Sequence, residues 1–135
     1  MSAMPTILIL EDEPFIMLDL EMAAEDHSCK PLTSFNCDAA LAIIAEADAQ
    51  EGGIDVAVLD VSLQDGETCL PVARELERRG VPFLLHTGDL VGDDGTVMGI
   101  DAPVLAKPTS ASAVVGAALA LIDNPSRADR RFAAE

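Results

Sequence analysis

The sequence predicts an α/β fold in which five parallel strands carry helices on both faces. Short β-rich apolar runs alternate along the chain with longer stretches of helical spacing, which is the pattern of repeated βα units. Residues 6–10 (TILIL) and 54–61 (IDVAVLDV) are the clearest of these runs, and continuous apolar sequence is typical of strands buried on both faces. At 135 residues, half of them apolar, the chain is long enough for one domain with a buried core.

The first strand, at residues 6–10, is followed by three acidic residues and then by Pro14. Proline is tolerated in the first turn of a helix, so a helix is predicted from Pro14 to about Glu25. Apolar residues recur at helical spacing in this stretch, at Phe15, Leu18, Met22 and Ala23.

The remaining elements follow in alternation. Further strands are predicted at residues 30–34, 54–61, 81–86 and 102–106, and further helices at 38–49, 67–79 and 110–122. Residues 89–100 contain a cluster of Gly and Asp, so we expect a short, mobile helix there at best. Pro125 and three arginines break the pattern after the last helix, which predicts a domain at residues 1–122 and a flexible tail at 123–135.

Composition excludes several classes of function. The formal net charge of −16 opposes binding to nucleic acid and to anionic membrane surfaces. No apolar run approaches the roughly 20 residues of a membrane helix, and the N-terminus lacks the pattern of a signal peptide. The three cysteines, Cys29, Cys37 and Cys69, form no CxxC pair, so we expect free, partly buried thiols and a cytoplasmic protein.

Polar residues cluster at the predicted carboxyl ends of four strands. Parallel sheets of this class bind ligands at that edge, where the order of the strands reverses. The residues concerned are Glu11 and Asp12 after the first strand, Asp60 at the end of the third, Thr87 after the fourth and Lys107 after the fifth.

Three carboxylates at one edge repel one another by roughly 3 kcal/mol per pair at about 5 Å, for an effective dielectric near 20. Protonation of one carboxyl would relieve this repulsion, but a hard divalent cation such as Mg²⁺ fits the oxygen ligands better. Lys107 either completes a structural ion network or, with Thr87, surrounds a phosphoryl group that Asp60 accepts as nucleophile. We favour the second interpretation.

These motifs resemble the receiver domains of bacterial two-component response regulators, over residues 6–122. Such domains have an acidic pair after strand one, a phosphoacceptor Asp after strand three and a Gly six residues later, matched here by Gly66. They also have Thr or Ser after strand four and Lys-Pro after strand five, matched by Lys107 and Pro108. The resemblance implies the flavodoxin-like receiver fold, with strand order 2-1-3-4-5.

The resemblance also implies how the site works. Asp12 and Asp60 bind Mg²⁺ (or Mn²⁺) directly with the backbone carbonyl of Ser62, Glu11 acts through water, and the Lys107–Pro108 bond is cis. Asp60 takes its phosphoryl group from a sensor histidine kinase or a histidine phosphotransfer protein. The chain is then no enzyme beyond its own phosphorylation and dephosphorylation, and we expect a monomer.

The fourth strand is similar to that of an alphaproteobacterial subgroup of single-domain receivers, whose motif is Pro-Phe-x-Phe-Ala-Thr-Gly-Tyr. Pro82, Phe83, Thr87 and Gly88 match this motif, whereas Leu85, His86 and Asp89 depart from it. We expect His86 to face outward at the end of its strand. Asp89 would place negative charge near the phosphoryl group, which either disfavours phosphorylation or helps to position a hydrolytic water.

The usual aromatic switch residue, three positions before the lysine, is Val104 in this chain. We therefore expect Thr87 and the Gly-rich segment after it to carry the rearrangement instead. Two alternatives remain. A dehalogenase-type phosphatase would need a second acid where Ser62 stands, and a degenerate receiver would serve as a fixed protein-binding module. With no output domain predicted, the expected output is a protein contact or competition for phosphoryl groups.

Overall fold

The computed structural model describes residues 4–48, 53–88 and 99–123 of the chain. Its strands are β1 (Thr6–Leu10), β2 (Lys30–Ser34), β3 (Val56–Leu59), β4 (Phe83–Thr87) and β5 (Val104–Ala106). All neighbouring strands are parallel, in the order β2-β1-β3-β4-β5. The predicted fold class and strand order are therefore confirmed.

Four α-helices cover the two faces of this sheet in the described part of the chain. They are α1 (Pro14–Asp26), α2 (Cys37–Asp48), α3 (Leu70–Arg79) and α4 (Ala111–Asp123). Helix α1 packs against α4, and α2 packs against α3, so each pair forms one layer. Helix α1 begins as predicted at Pro14, where the Glu13 carboxylate accepts a hydrogen bond from the Ile16 amide at 3.1 Å.

Alternate residues of the central strands supply the two layers of the core. Ile7 and Ile9 of β1 pack with α1 and α4, whereas Leu8 and Leu10 pack with α2 and α3. All residues of β3 are buried. This burial on both faces explains why these strands are continuous apolar runs in the sequence.

Helix α1 buries a different side from the one that its spacing indicated. Phe15, Leu18 and Met22 are exposed, Phe15 to 77%, and only Ala23 of the four spaced residues is buried. The residues that α1 buries are Met17, Leu20, Ala23 and Ala24. The helix carries apolar residues on two sides, so spacing predicts the helix but not the side that meets the sheet.

Several predicted features lie outside the described residues. They are the short helix within 89–100, Asp89 and the tail after residue 123, and they stay predictions. Strands β3 and β5 are shorter than predicted, and α4 ends at Asp123, one residue past the predicted domain boundary. Among the helices described, none combines the length and the apolar character needed to cross a membrane.

Candidate functional site

Three carboxylates meet at the carboxyl edge of the sheet, as predicted. Glu11 and Asp12 follow β1, and Asp60 follows β3, with the Asp60 amide donating to the Leu10 carbonyl at 2.8 Å. One oxygen from each side chain lies within 4.8 Å of the other two. Glu11 is only 1% exposed and Asp60 only 5%, so the negative charges are held close together with little access to water.

Lys107 brings a positive charge into this cluster. Its Nζ lies 3.0 Å from Glu11 Oε1 and 3.4 Å from Asp60 Oδ2. Burial by itself would lower the pKa of Lys107, but the hydrogen bond to Glu11 and the charge of Asp60 raise the pKa above its ordinary value. The side chain therefore stays an ammonium ion. The Lys107–Pro108 peptide bond is cis, as the resemblance implied.

Asp60 holds its proton more tightly than an ordinary carboxyl. Burial and, after it, repulsion by Glu11 raise the pKa of Asp60 to about 7, against the opposing attraction of Lys107. One ammonium ion is thus not enough to keep Asp60 fully ionised near neutral pH. A second positive charge would lower the pKa of Asp60 and favour its ionised form.

The donor set fits a hard divalent cation. Glu11, Asp12 and Asp60 offer only oxygen atoms, and their spacing allows one ion to contact all three. Mg²⁺ and Mn²⁺ prefer such ligands, and both would offset the repulsion that raises the pKa of Asp60.

Thr87 and Ser62 also lie at the carboxyl edge of the sheet. Thr87 ends β4, is buried, and accepts a hydrogen bond on its carbonyl from the Lys107 amide at 2.9 Å. Ser62 is exposed, two residues beyond Asp60, and forms an isolated antiparallel bridge with Thr68. The structure thus brings the predicted residues to one region, while their roles stay predictions.

The prediction that His86 faces outward is wrong. Its side chain is 3% exposed, and neither ring nitrogen has a hydrogen-bond partner within the described structure. Burial and, less strongly, Lys107 lower the pKa of His86 to about 4, so the ring is neutral at pH 7. The physical reason is that β4 lies inside the sheet between β3 and β5, where both faces of a strand are covered.

Sequence reasoning also missed Glu67. Its Oε1 accepts a hydrogen bond from the Cys37 amide at 3.1 Å, which links the loop after Asp60 to the first residue of α2. The two residues are 30 positions apart, and no sequence motif marks the contact.

The solved structures that are similar to this chain include response regulator receiver proteins. A response regulator receiver protein from Sinorhizobium medicae WSM419 shares the fold, with a TM-score of 0.73 and 21% identity over 89% of this chain and 95% of that chain. SdrG from Sphingomonas melonis Fr1 is 41% identical over 92% of this chain and 100% of its own, with a TM-score of 0.68.

The BeF3-activated conformation of SdrG, from Pseudomonas melonis Fr1, is likewise 41% identical over 90% of this chain and 99% of that chain, with a TM-score of 0.65. This chain belongs to the family of response regulator receiver domains. No protein-family model and no curated protein sequence matches it.

Proposed function

We propose that this chain is a single-domain response regulator in which Asp60 accepts a phosphoryl group from a sensor histidine kinase or a histidine phosphotransfer protein. The observation that carries the proposal is the contact of the Lys107 ammonium ion with Asp60 and Glu11, at 3.4 and 3.0 Å, beside a three-carboxylate cluster. This arrangement offers a nucleophile, a cation-binding site and a fixed positive charge at one sheet edge.

The transfer itself needs little covalent chemistry from the protein. An Asp60 oxygen bonds to phosphorus while the P–N bond of the donor phosphohistidine breaks, and the donor imidazole keeps the electron pair and takes a proton from solvent. Lys107 turns from the carboxylates toward the phosphoryl oxygens, and the Thr87 hydroxyl donates to one of them. Asp12, Asp60 and the Ser62 carbonyl would hold a bound Mg²⁺ or Mn²⁺ directly and Glu11 would act through water, and the ion would neutralise charge on the carboxylates.

The partners follow from the same chemistry and from the charge. The phosphoryl donor is a protein, and the net charge of −16 disfavours nucleic acid and membranes as further partners. The domain acts as a monomer and catalyses only its own phosphorylation and dephosphorylation. No disulfide joins Cys29, Cys37 and Cys69 in the described structure, which is consistent with the cytoplasm as its location.

Phosphorylation on Asp60 is tested by incubating the protein with acetyl phosphate and Mg²⁺ and separating the forms on a Phos-tag gel. We expect a retarded band that depends on Mg²⁺ and is lost with EDTA. Asp60→Asn should give none, whereas Asp65→Asn, a change of the same kind at an exposed carboxylate nearby, should be phosphorylated normally. A wild-type protein that shows no shift under Mg²⁺ refutes the proposal.

The degenerate receiver remains a second candidate because of Val104. This residue is half-buried and pairs with Leu85 across β4 and β5, where typical receivers have an aromatic switch residue. The same gel distinguishes the two candidates, since a fixed binding module gives no phosphorylated band. Whether output is a protein contact or competition for phosphoryl groups depends on a partner, so partner affinity before and after phosphorylation separates these modes.

A further inference from the structure

The loop after Asp60 folds back on itself. Asp65 and Gly66 have positive φ angles of 63° and 74° and reverse the chain. The outgoing arm, residues 61–63, then pairs with the returning arm, residues 67–69. The Leu63 amide donates to the Glu67 carbonyl at 2.8 Å, and the Cys69 amide donates to the Val61 carbonyl at 2.9 Å.

The returning arm is fixed to the start of helix α2 by two contacts of Cys37. Its amide donates to Glu67 Oε1 at 3.1 Å, and its thiol donates to the Thr68 carbonyl at 3.0 Å. The Asn36 side chain caps the same helix end locally, since it accepts from the Ala39 amide at 2.8 Å. The first amide of α2, which has no partner inside the helix, is therefore satisfied by Glu67 from another part of the chain.

The contact of Glu67 with the start of α2 is electrostatically favourable, because a carboxylate is stabilised at the positive end of a helix dipole. Burial and the charge of Glu67 raise the pKa of the Cys37 thiol to about 11, so the thiol keeps the proton that it donates to Thr68. The hydrogen bond from the thiol to Thr68 therefore persists across the neutral pH range.

We propose that Glu67 and Cys37 form a clasp that positions the loop after Asp60 for binding a divalent cation. Thr68 pairs with Ser62 in an antiparallel bridge, so the arm that the clasp fixes in turn fixes the arm that carries the Ser62 carbonyl. Glu67 is thus a positioning residue that acts through the loop backbone. The inference rests on the proposed function, in which Ser62 contributes to the cation site.

The test measures the Mg²⁺ dissociation constant by isothermal titration calorimetry on variants that far-UV circular dichroism shows to be folded. We expect Glu67→Ala to raise the dissociation constant about tenfold or more, the usual effect of losing a group that orients a ligand. Glu67→Gln keeps an acceptor for the Cys37 amide and should raise the constant only about threefold, because an uncharged acceptor bonds less strongly.

The matched control is Asp65→Asn, which removes one negative charge from the same loop. Asp65 is exposed and makes no side-chain hydrogen bond or ion pair among the described residues, and Asn tolerates its positive φ. Its effect at physiological ionic strength should stay below about twofold. In Mg²⁺-free protein, Glu67→Ala should also speed hydrogen exchange at the Cys37 and Leu63 amides and leave those of β1 unchanged.

If Glu67→Ala and Asp65→Asn weakened Mg²⁺ binding equally, the clasp would be overturned, because the effect would then come from the loss of one negative charge in the loop. Unchanged hydrogen exchange at Cys37 in Glu67→Ala would also overturn it. A wild-type protein that binds no Mg²⁺ would instead overturn the proposed cation site itself, and the two failures are therefore distinguishable.

Discussion

Asp60, directly after β3, and His86, near the end of the neighbouring strand β4, occupy equivalent positions along the sheet, yet their surroundings differ. Leu59 of β3 pairs with Leu85 of β4, and Asp60 and His86 are the residues that follow these two. Both are almost fully buried. Burial favours the neutral form of both: together with Glu11 it raises the pKa of Asp60 to about 7, and together with Lys107 it lowers the pKa of His86 to about 4. Asp60, however, meets an ammonium ion at 3.4 Å, whereas neither nitrogen of His86 has a partner in the described structure.

The difference shows that the charge beside a buried group, and not burial alone, decides how easily that group ionises. Lys107 opposes the effect of burial on Asp60 and keeps the ionised carboxylate within reach of neutral pH. At His86 the charge of Lys107 acts in the same direction as burial, and the ring is left neutral. We therefore expect removal of the Lys107 charge and removal of the His86 ring to change stability in opposite directions.

Removal of Lys107 should have the largest effect. In Lys107→Met the carboxylates of Glu11 and Asp60 lose their counter-charge, and breaking a buried ion pair destabilises a protein by about 3 kcal/mol. The free energy of unfolding, measured in urea without divalent cations at a pH above the pKa of Asp60, should fall by about that amount. Saturating Mg²⁺ should recover part of the loss.

The matched control is Lys30→Met, at an exposed lysine of β2. Its effect should stay within about 0.5 kcal/mol. If both lysine variants lost the same stability, Lys107 would not be the counter-charge of the buried carboxylates.

Replacement of His86 by an apolar residue should stabilise the protein. His86→Leu removes two buried nitrogens that have no hydrogen-bond partner among the described residues, and each such group costs about 1 to 3 kcal/mol. We expect a gain of about 1 kcal/mol, reduced by imperfect packing of the new side chain. His27→Leu is the control, since His27 Nε2 lies 3.0 Å from Ser112 Oγ and should cost stability when lost. A His86→Leu variant that is less stable than wild type would indicate a hydrogen bond at this ring.

The pH dependence of stability should separate the two residues further. Folding lowers the pKa of His86 from 6.5 to about 4, so the unfolded chain binds more protons in that window and stability rises with pH. Folding raises the pKa of Asp60 from 3.8 to about 7, so the folded chain binds more protons there and stability falls with pH. The two contributions oppose each other in the wild-type protein.

Removing either residue should expose the contribution of the other. Relative to wild type and without divalent cations, the stability of Asp60→Asn should rise by up to about 1 kcal/mol per pH unit between the two pKa values, and that of His86→Leu should fall. Urea unfolding at several pH values checks both slopes. Parallel curves for all three proteins would contradict the shifted pKa values.

The sequence predicted the fold well because burial on both faces leaves a clear pattern. Strands β1 and β2 have the predicted bounds, and β3 is shorter at both ends. What the pattern did not predict was the buried side of α1, because Phe15, Leu18 and Met22 are spaced as regularly as the residues that face the sheet. Only packing against the sheet and α4 decides between the two sides.

The residues of the site likewise differ in how well the sequence predicted them. Glu11, Asp12, Asp60 and Lys107 were predictable because strand ends of a parallel sheet share one edge. The burial of His86 was not, because a single polar residue at a strand end is usually solvated. The contact of Glu67 with Cys37 depends on the path of a loop over 30 positions, which no local spacing encodes.

The most direct test of the central claim is to map the phosphorylated residue. Borohydride reduces an aspartyl phosphate to homoserine, so phosphorylated protein is reduced, digested and sequenced by mass spectrometry. The account predicts homoserine at position 60, dependent on Mg²⁺, and none in protein that was not phosphorylated. Homoserine at position 12, or none at position 60 in protein that shifts on a Phos-tag gel, would contradict the assignment of Asp60 as the phosphoacceptor.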